Sequence, residues 1–421
     1  MNKIKIKDIF NSNQETIKLS NCDFINYLDT SSITTNRIDN VQYLNVKNDI
    51  IPSRAKRNVK KNTIVYSSVR PNLKHYGIIR KPLENMVAST GFVTLDIKDE
   101  TQNNADYMYY NLTQNKYTDY LHTIACNNVS SYPSINPSDI ENMEIEIEPD
   151  IDKQKQIAKL FVDIDNKIEL NNIINEKLEK LAKTLYEYWF VQFDFPDENK
   201  RPYKSSGGTM VYNEVLRQEI PLGWSVNNVK SCITHINTGL NPRDNFILNN
   251  GDIKYITVKN LTTHGGIDFS NCDTIDEVAQ KIVHKRSDIS KGDILFASIA
   301  PLGRCYLIQE EPQTWDINES VFSIRPKNTM PSEYMYIFLM SETFVKKAEN
   351  SSTGSVFAGI RIKTLEDMLL VIPDNKILQL FKEKTSKILL QKHIKECENQ
   401  ELTTIRDFLL PMLMNGQVVI Q

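Results

Sequence analysis

The chain has 421 residues, 40% of them hydrophobic and 24% charged, and its 50 basic and 53 acidic side chains leave a formal charge of −3. A length of this order implies two or three domains, and the near-balance of charge means that any case for a nucleic-acid partner must rest on local clusters. The longest apolar stretch, Tyr334 to Met340, is far too short to span a membrane, the first residues lack the apolar core of a signal peptide, and the six scattered cysteines read as free thiols, so the expected location is the cytoplasm.

In chain order, residues 1–150 carry short β-type runs. Asn62-Thr-Ile-Val-Tyr-Ser-Ser68 is bounded by turn formers and rich in β-branched residues, and Met143-Glu-Ile-Glu-Ile-Glu148 alternates apolar with polar as a half-buried strand does. From Asp152 to about Phe190 there is neither Pro nor Gly, and Ile157, Phe161, Ile164, Ile168, Leu178, Ala182, Leu185 and Trp189 recur every three or four positions around a polar centre at Asn171 and Asn175. That is the seam of a long helix, roughly 57 Å at 1.5 Å per residue. Asp194 to Gly223, including Lys204-Ser-Ser-Gly-Gly208, reads as a linker. The β character then returns, with Asp293-Ile-Leu-Phe-Ala-Ser298 as its clearest run. A second long helix is predicted from about Asn375 to Leu410, its seam broken by Lys392 and Lys395. Two long amphipathic helices in one chain bury their stripes most simply on each other. The predicted boundaries are therefore 1–150, a first helix over 151–193, a linker over 194–223, a second domain over 224–373, and a second helix with a tail over 374–421.

The chain also repeats itself. Tyr43-Leu-Asn-Val-Lys-Asn48 reappears as Tyr255-Ile-Thr-Val-Lys-Asn260, and Val59 to Pro71 reappears as Ile289 to Pro301. The first offset is 212 and the second 230, which predicts 18 extra residues between the segments of the second copy. Tyr76 and Phe92 pair with Tyr306 and Phe322, Asp106-Tyr-Met-Tyr109 pairs with Glu333-Tyr-Met-Tyr336, and Ser130, Ile135, Met143 and Ile147 pair with Ser355, Ile360, Met368 and Ile372. Matches in one order with slowly drifting offsets imply two homologous units.

Between Asp49 and Glu84 stand nine basic residues, Arg54, Lys56, Arg57, Lys60, Lys61, Arg70, Lys74, Arg80 and Lys81, and not one acid. Tyr66, His75 and Tyr76 are interleaved with them. Cations that dock phosphates beside aromatic and polar groups that meet base edges are the pattern of a nucleic-acid surface. The second copy has Lys281, His284, Lys285, Arg286, Lys291 and Arg304, diluted by Asp288 and Asp293. Its apolar frame matches the first copy while its polar residues differ, as expected of two similar scaffolds that read different things.

Catalytic patterns are missing. Gly354-Ser-Val-Phe-Ala-Gly359 has the glycine spacing of a phosphate loop but is followed by Ile360-Arg361, and its counterpart from Val129 has no glycine. There is no G-x-G-x-x-G, no Asn/Asp-Pro-Pro-Tyr/Phe and no Gly-x-Ser-x-Gly. Cys232-x-x-His235 lacks a second pair for zinc, and Glu310-Glu311 sits in a polar segment. No catalytic or metal-binding residue is expected.

Three helix-flanking segments then carry a resemblance. Leu185-Tyr-Glu-Tyr-Trp-Phe-Val-Gln-Phe-Asp-Phe195, then Gly208-Thr-Met-Val-Tyr-Asn-Glu-Val215 followed by Glu219-Ile-Pro-Leu-Gly-Trp-Ser225, and finally Arg406-Asp-Phe-Leu-Leu-Pro-Met-Leu-Met-Asn-Gly416 make the chain similar, over essentially its whole length, to the specificity subunit of type I DNA restriction–modification enzymes. The resemblance implies an α+β fold with two homologous α/β target recognition domains, joined by two long helices in an antiparallel coiled coil with internal pseudo-twofold symmetry. Each domain would bind one half of a bipartite site in double-stranded DNA, with Arg54, Lys56, Arg57, Lys60, Lys61, Arg70, Lys74 and Tyr76 as contacts in the first and Lys281, Lys285, Arg286, Lys291 and Arg304 in the second. Two modification subunits, which hold S-adenosylmethionine and methylate adenine, would dock on Tyr188, Trp189, Phe190, Phe193, Leu410, Pro411 and Met412. Restriction subunits using ATP and Mg²⁺ would join them, leaving this chain without a cofactor. The alternatives are a coiled-coil scaffold for RNA or an acidic protein, and a self-contained DNA-modifying enzyme.

Overall fold

The computed structural model describes residues 2–13, 15–128, 133–270, 272–351, 359–418 and 420. Ser130, Ser355, and most of the glycine-spaced segment at 354–359 and of its counterpart from Val129 lie outside the described residues. The chain forms two compact units. Unit 1 comprises residues 1–168 and 400–421, and unit 2 comprises 169–399.

Unit 1 begins with β1 (Asn2–Lys5), α1 (Ile6–Ile9), β2 (Phe10–Ser12), β3 (Phe24–Leu28), β4 (Ile33–Thr34), β5 (Arg37–Ile38), β6 (Gln42–Asn45) and β7 (Ala55–Asn58). It continues with β8 (Thr63–Ser67), β9 (Tyr76–Ile79), β10 (Met86–Ser89), β11 (Phe92–Ile97), α2 (Ala105–Leu112), α3 (Asn115–Asn128), α4 (Pro137–Glu141), β12 (Glu144–Ile147) and the long helix α5 (Ile151–Tyr186). One four-stranded sheet runs β6-β3-β10-β7, a second runs β2-β11-β8-β9, and β1 pairs with β12. Strands β8 and β9 are buried along their whole length, as expected of Ile, Val and Tyr covered on both faces.

Unit 2 holds β13 (Met210–Asn213), β14 (Gln218–Pro221), β15 (Ser225–Asn228), α6 (Val229–Cys232), β16 (Ile233–Thr238), β17 (Ile253–Ile256), β18 (Asp273–Ile275) and α7 (Glu277–Ser287). After these come β19 (Ile294–Ala297), β20 (Cys305–Leu307), β21 (Trp315–Ile317), β22 (Val321–Pro326), α8 (Ser332–Leu339), α9 (Glu342–Asn350), α10 (Ile362–Glu366), β23 (Leu369–Ile372) and α11 (Asn375–Met414). Here β16-β22-β19-β20 repeats the order of β2-β11-β8-β9, and β15 pairs with β23 as β1 pairs with β12.

The remaining sheets correct one sequence match. Strand β17 is parallel to β21 and antiparallel to β18, as β3 is parallel to β10 and antiparallel to β6. Tyr255 on β17 therefore occupies the place of Tyr27 on β3, not that of Tyr43 on β6. Burial agrees, since Tyr43 is 63% exposed on an edge strand while Tyr255 is 2% exposed. The likeness of the two six-residue segments is a coincidence between neighbouring strands, and the predicted 18-residue insertion disappears. What differs is the next stretch. Unit 1 continues to the edge strand β7, whereas unit 2 folds the helix α7, which packs Ala279 and Val283 into a cluster with Tyr255 and Ile275.

Both long helices are divided between the units, after Ile168 and after Asn399. In unit 1, Ile157, Phe161 and Ile164 share a buried cluster with Leu413 and Met414. Asp165 accepts from Arg406 at 3.0 Å and from the Tyr110 hydroxyl. In unit 2, the Asn171 amide donates to Asn399 at 2.8 Å and Asn399 donates to Asn172 at 2.9 Å, while Trp189 meets Phe381 with ring centroids 5.7 Å apart. As numbers rise along α5 they fall along α11, so the segments run antiparallel. Buried Asn pairs of this kind fix register, because a one-turn slip leaves amides unsatisfied. Lys392, which interrupts the predicted seam, is also buried, and it donates to Gly265 O at 2.8 Å and Glu396 Oε1 at 2.7 Å. Helix α5 passes into a π-turn over Glu187–Val191, which puts Tyr186 in the core where the seam predicted Leu185. Helix α11 continues through Pro411 to Met414, beyond the expected end at Leu410.

The Asp165–Arg406 pair is only about one-fifth exposed on either side. Asp165→Ala leaves the largely desolvated guanidinium with only the exposed Asp407 at 3.0 Å as partner, a loss of roughly 3 kcal/mol at most. Urea unfolding followed by circular dichroism should show a lower midpoint and weaker amide-exchange protection at Leu409 to Leu413.

Candidate nucleic-acid interface

In unit 1 the basic run does not form one patch. Lys60 and Lys61 occupy the turn before β8, whereas Arg70 and Lys74 bracket the loop after it, so the two groups lie at opposite ends of that strand. At the far end Lys60 is ion-paired to Glu15 at 3.3 Å and Asp96 at 3.5 Å, which largely balances its charge. Arg80 is likewise tied to Asp106 at 2.7 Å.

The near end is built differently. Arg54 O accepts from Thr90 N at 2.8 Å, and Gly91 O accepts from Ser68 N at 2.8 Å, so the start of β7, the β10–β11 turn and the loop after β8 converge. Arg54, Lys56 and Arg70 are exposed there. Arg54 and Lys56 make no ion pair among the described residues. Burial depresses the pKa of the half-buried Arg57, whose Nε lacks a hydrogen-bond partner in the chain. Arg70 (φ 47°) and Lys74 (φ 55°) are both left-handed, a conformation that costs a non-glycine residue of order 1 kcal/mol and clusters at functional loops. Lys74 Nζ is steadied by Asn115 at 3.0 Å. The β4–β5 hairpin closes the loop's other side through Thr35 N to Lys74 O at 2.9 Å and Asn36 N to Tyr76 O at 2.8 Å. Sequence reasoning missed this hairpin. Its signal was Thr35-Asn36, a polar pair suited to a left-handed turn.

Tyr76, expected as a DNA contact, is a core residue. Its ring stacks on Tyr66 at 5.3 Å and meets Tyr109 edge-on at 6.3 Å, and burial holds its hydroxyl well above the usual range. The alternation of β9 turns this side chain inward.

In unit 2, Lys281, Lys285 and Arg286 project from α7, and Lys291 occupies the turn before β19. All four are exposed and their side chains make no ion pair among the described residues, although the Lys291 backbone N–H donates to Glu311 at 3.3 Å. Asp288 and Asp293 do not dilute them as the sequence suggested. Both are spent on Arg325, which contacts Asp293 at 2.7 Å and Asp288 at 2.9 Å. Arg304, in the loop after β19, is half-buried with its Nε unpartnered. Among the described residues no group of three or more His, Cys, Asp or Glu could hold a metal ion, and no helix is long and apolar enough to cross a membrane.

The expected docking residues divide by burial. Trp189, Phe190 and Phe193 lie in the core of unit 2, with Phe190 4.8 Å from both Tyr334 and Phe381, so their rings offer a partner no surface. The π-turn that ends α5 directs them inward. Tyr188 is 38% exposed, Pro411 is exposed, and Leu410 and Met412 are half-buried. Phe190→Ala should therefore destabilise unit 2 by about 3–5 kcal/mol, whereas Tyr188→Ala should cost under about 1 kcal/mol. Tryptophan fluorescence in urea separates the two, because Trp189, Trp224 and Trp315 all belong to unit 2.

Comparison with known proteins places this arrangement. The family described as type I restriction modification DNA specificity domain matches residues 1–180 and 221–406. The type I restriction enzyme HindI specificity subunit of Haemophilus influenzae is 24% identical, with 93% of this chain and 94% of that one covered. The type I restriction enzyme MjaIX specificity subunit of Methanocaldococcus jannaschii is 25% identical over 92% of this chain and 87% of the relative. Among solved structures, the type I restriction–modification S subunit from M. genitalium has a TM-score of 0.50 at 16% identity, covering 98% of this chain and 95% of that one. With two matched domains that together span most of its length, the chain belongs to the specificity subunits of type I restriction–modification enzymes.

Proposed function

We propose that each unit reads one half of a bipartite site in double-stranded DNA, and that the chain acts by placing this site rather than by chemistry of its own. The observation that carries the reading is the pairing of one scaffold with two different charged surfaces. The sheet β2-β11-β8-β9 recurs as β16-β22-β19-β20, while the unpaired cations sit on β7 and the loop before it in unit 1 and on α7 in unit 2. Selection for a common frame with divergent surfaces is what two half-sites of different sequence require.

In this reading α5 and α11 form an antiparallel coiled coil whose length sets the gap between half-sites, and the duplicated halves give the chain its pseudo-twofold symmetry. Modification subunits holding S-adenosylmethionine dock through Tyr188 and the segment Leu410–Met412. They methylate an adenine extruded from the stack. Restriction subunits, with ATP and Mg²⁺, complete the assembly. The cations act first by releasing counterions from the phosphates, which gives affinity in every sequence, and the base contacts add discrimination.

The deciding experiment is a genome-wide N6-methyladenine map with and without this gene, its modification partner present. Loss of one split motif on deletion supports the reading, and an unchanged map defeats it. Adding four residues after Ile168 and four after Asn399 lengthens both helices by about 6 Å, nearly two base pairs. The mapped gap should widen while both half-sites keep their sequence, and a fixed gap would sink the spacer role. Removing one exposed, unpaired cation, Lys56→Ala, should weaken binding to all duplexes and flatten the slope of log K against log salt by about 0.9. Lys60→Ala, whose charge is already matched by Glu15 and Asp96, should change that slope far less.

A further inference from the structure

We infer that α7 is the base-reading element of unit 2, entering the major groove of the second half-site where unit 1 presents an edge strand and loops. This rests on the DNA-reading function proposed above and goes beyond it by assigning the element and its residues.

The first observation is positional. The sheet β6-β3-β10-β7 of unit 1 has its counterpart in β18-β17-β21, which lacks a strand at the β7 position beside β21. The chain between β18 and β19 forms α7 instead, and α7 packs on β21, with His284 Nδ1 3.1 Å from the buried carboxylate of Asp316. That carboxylate also accepts from Ile317 N at 2.8 Å, so the helix is anchored to the sheet beneath it.

The second observation is the face the helix leaves open. Ala279, Val283 and Ser287 are buried. Val278, Lys281, Ile282 and Lys285 follow the i, i+3, i+4, i+7 spacing of a single helical stripe on the other side. Val278 is 66% exposed and Ile282 39% exposed. Two apolar and two cationic side chains in one stripe suit base edges, because Lys meets guanine O6 and N7 while branched aliphatics meet the thymine methyl.

The third observation concerns charge. The side chains of Lys281, Lys285 and Arg286 make no ion pair among the described residues, and the adjacent Asp288 and Asp293 are paired with Arg325. The occupant that complements this face is polyanionic. Eleven residues at 1.5 Å give the helix about 16 Å, long enough to lie in a groove about 12 Å wide.

The test uses the full chain assembled with its modification subunits and maps methylation for two variants. In Val278→Ser/Ile282→Ser with Lys281→Ala, base tolerance should relax in one half-site only, with about a tenfold fall in preference for its cognate bases. In Arg54→Ala/Arg57→Ala, the loss should fall on the other half-site. If the α7 variant keeps both half-sites at full stringency while the Arg54/Arg57 variant does not, the assignment of α7 is overturned and DNA reading stands. If neither variant alters methylation, the DNA-reading function itself is overturned. Circular dichroism confirms that each variant is folded, and tryptophan fluorescence adds the same check for the α7 variant, whose unit holds every tryptophan. Lys285→Arg, which keeps charge but changes geometry, should retain overall affinity while altering preference at the same half-site.

Discussion

The structure depends on the incompleteness of each unit's hydrophobic core. Helix α2 of unit 1 presents an apolar surface at Tyr107 to Tyr110, and it is closed by Ile157, Phe161 and Ile164 from α5 together with Leu413 and Met414 from α11. Unit 2 is closed by Tyr186, Trp189 and Phe190 from α5 and by Phe381 from α11. Each unit therefore needs turns of both long helices to exclude water. Helices that serve as core for their own domains are rigid attachments rather than tethers, since moving one exposes aromatic rings that contribute several kcal/mol of burial each.

Register at the seam is marked by polar groups that bond across the two helices. The Asn171 amide donates to Asn399 and Asn399 to Asn172 within unit 2, and Lys392 is held between Gly265 and Glu396. These residues are poor choices for affinity between helices and good choices for specifying alignment. The same economy is visible at the surface, where acids near the candidate interface neutralise structural cations such as Arg325, Arg80 and Lys60 and leave Arg54, Lys56, Lys281 and Lys285 available.

The long helices, the repeated sheet and the family were legible in the sequence because they rest on local periodicity and on short motifs, whereas the stretch 194–223, read as a linker, folds into unit 2 as the β13–β14 hairpin with Phe195 and Ile220 in the core. Helical seams repeat every three or four residues, and apolar frames drift slowly between copies, so both survive without knowledge of the third dimension. The family motifs were informative for the same reason, although their rings proved to be core rather than contact surface. A stretch such as Tyr188 to Phe193 looks the same in sequence whether it greets a partner or fills a cavity, and the π-turn at Glu187–Val191 decided for the cavity.

The amino-acid sequence by itself determined the class of the protein, the positions of its two long helices and the supply of cations. Tertiary structure alone decided which cations are free, because pairing to Glu15, Asp96, Asp106 or Asp293 joins residues up to 45 positions apart. It also decided that Tyr76 faces inward and that Tyr255 corresponds to Tyr27. Strand partners are chosen by hydrogen-bond ladders and burial across the sheet, and six similar residues on neighbouring strands carry no record of which ladder they join. The exchange of strand β7 for helix α7 belongs to the same category, since only the packing of Ala279 and Val283 under an otherwise open face shows that this stretch presents a surface.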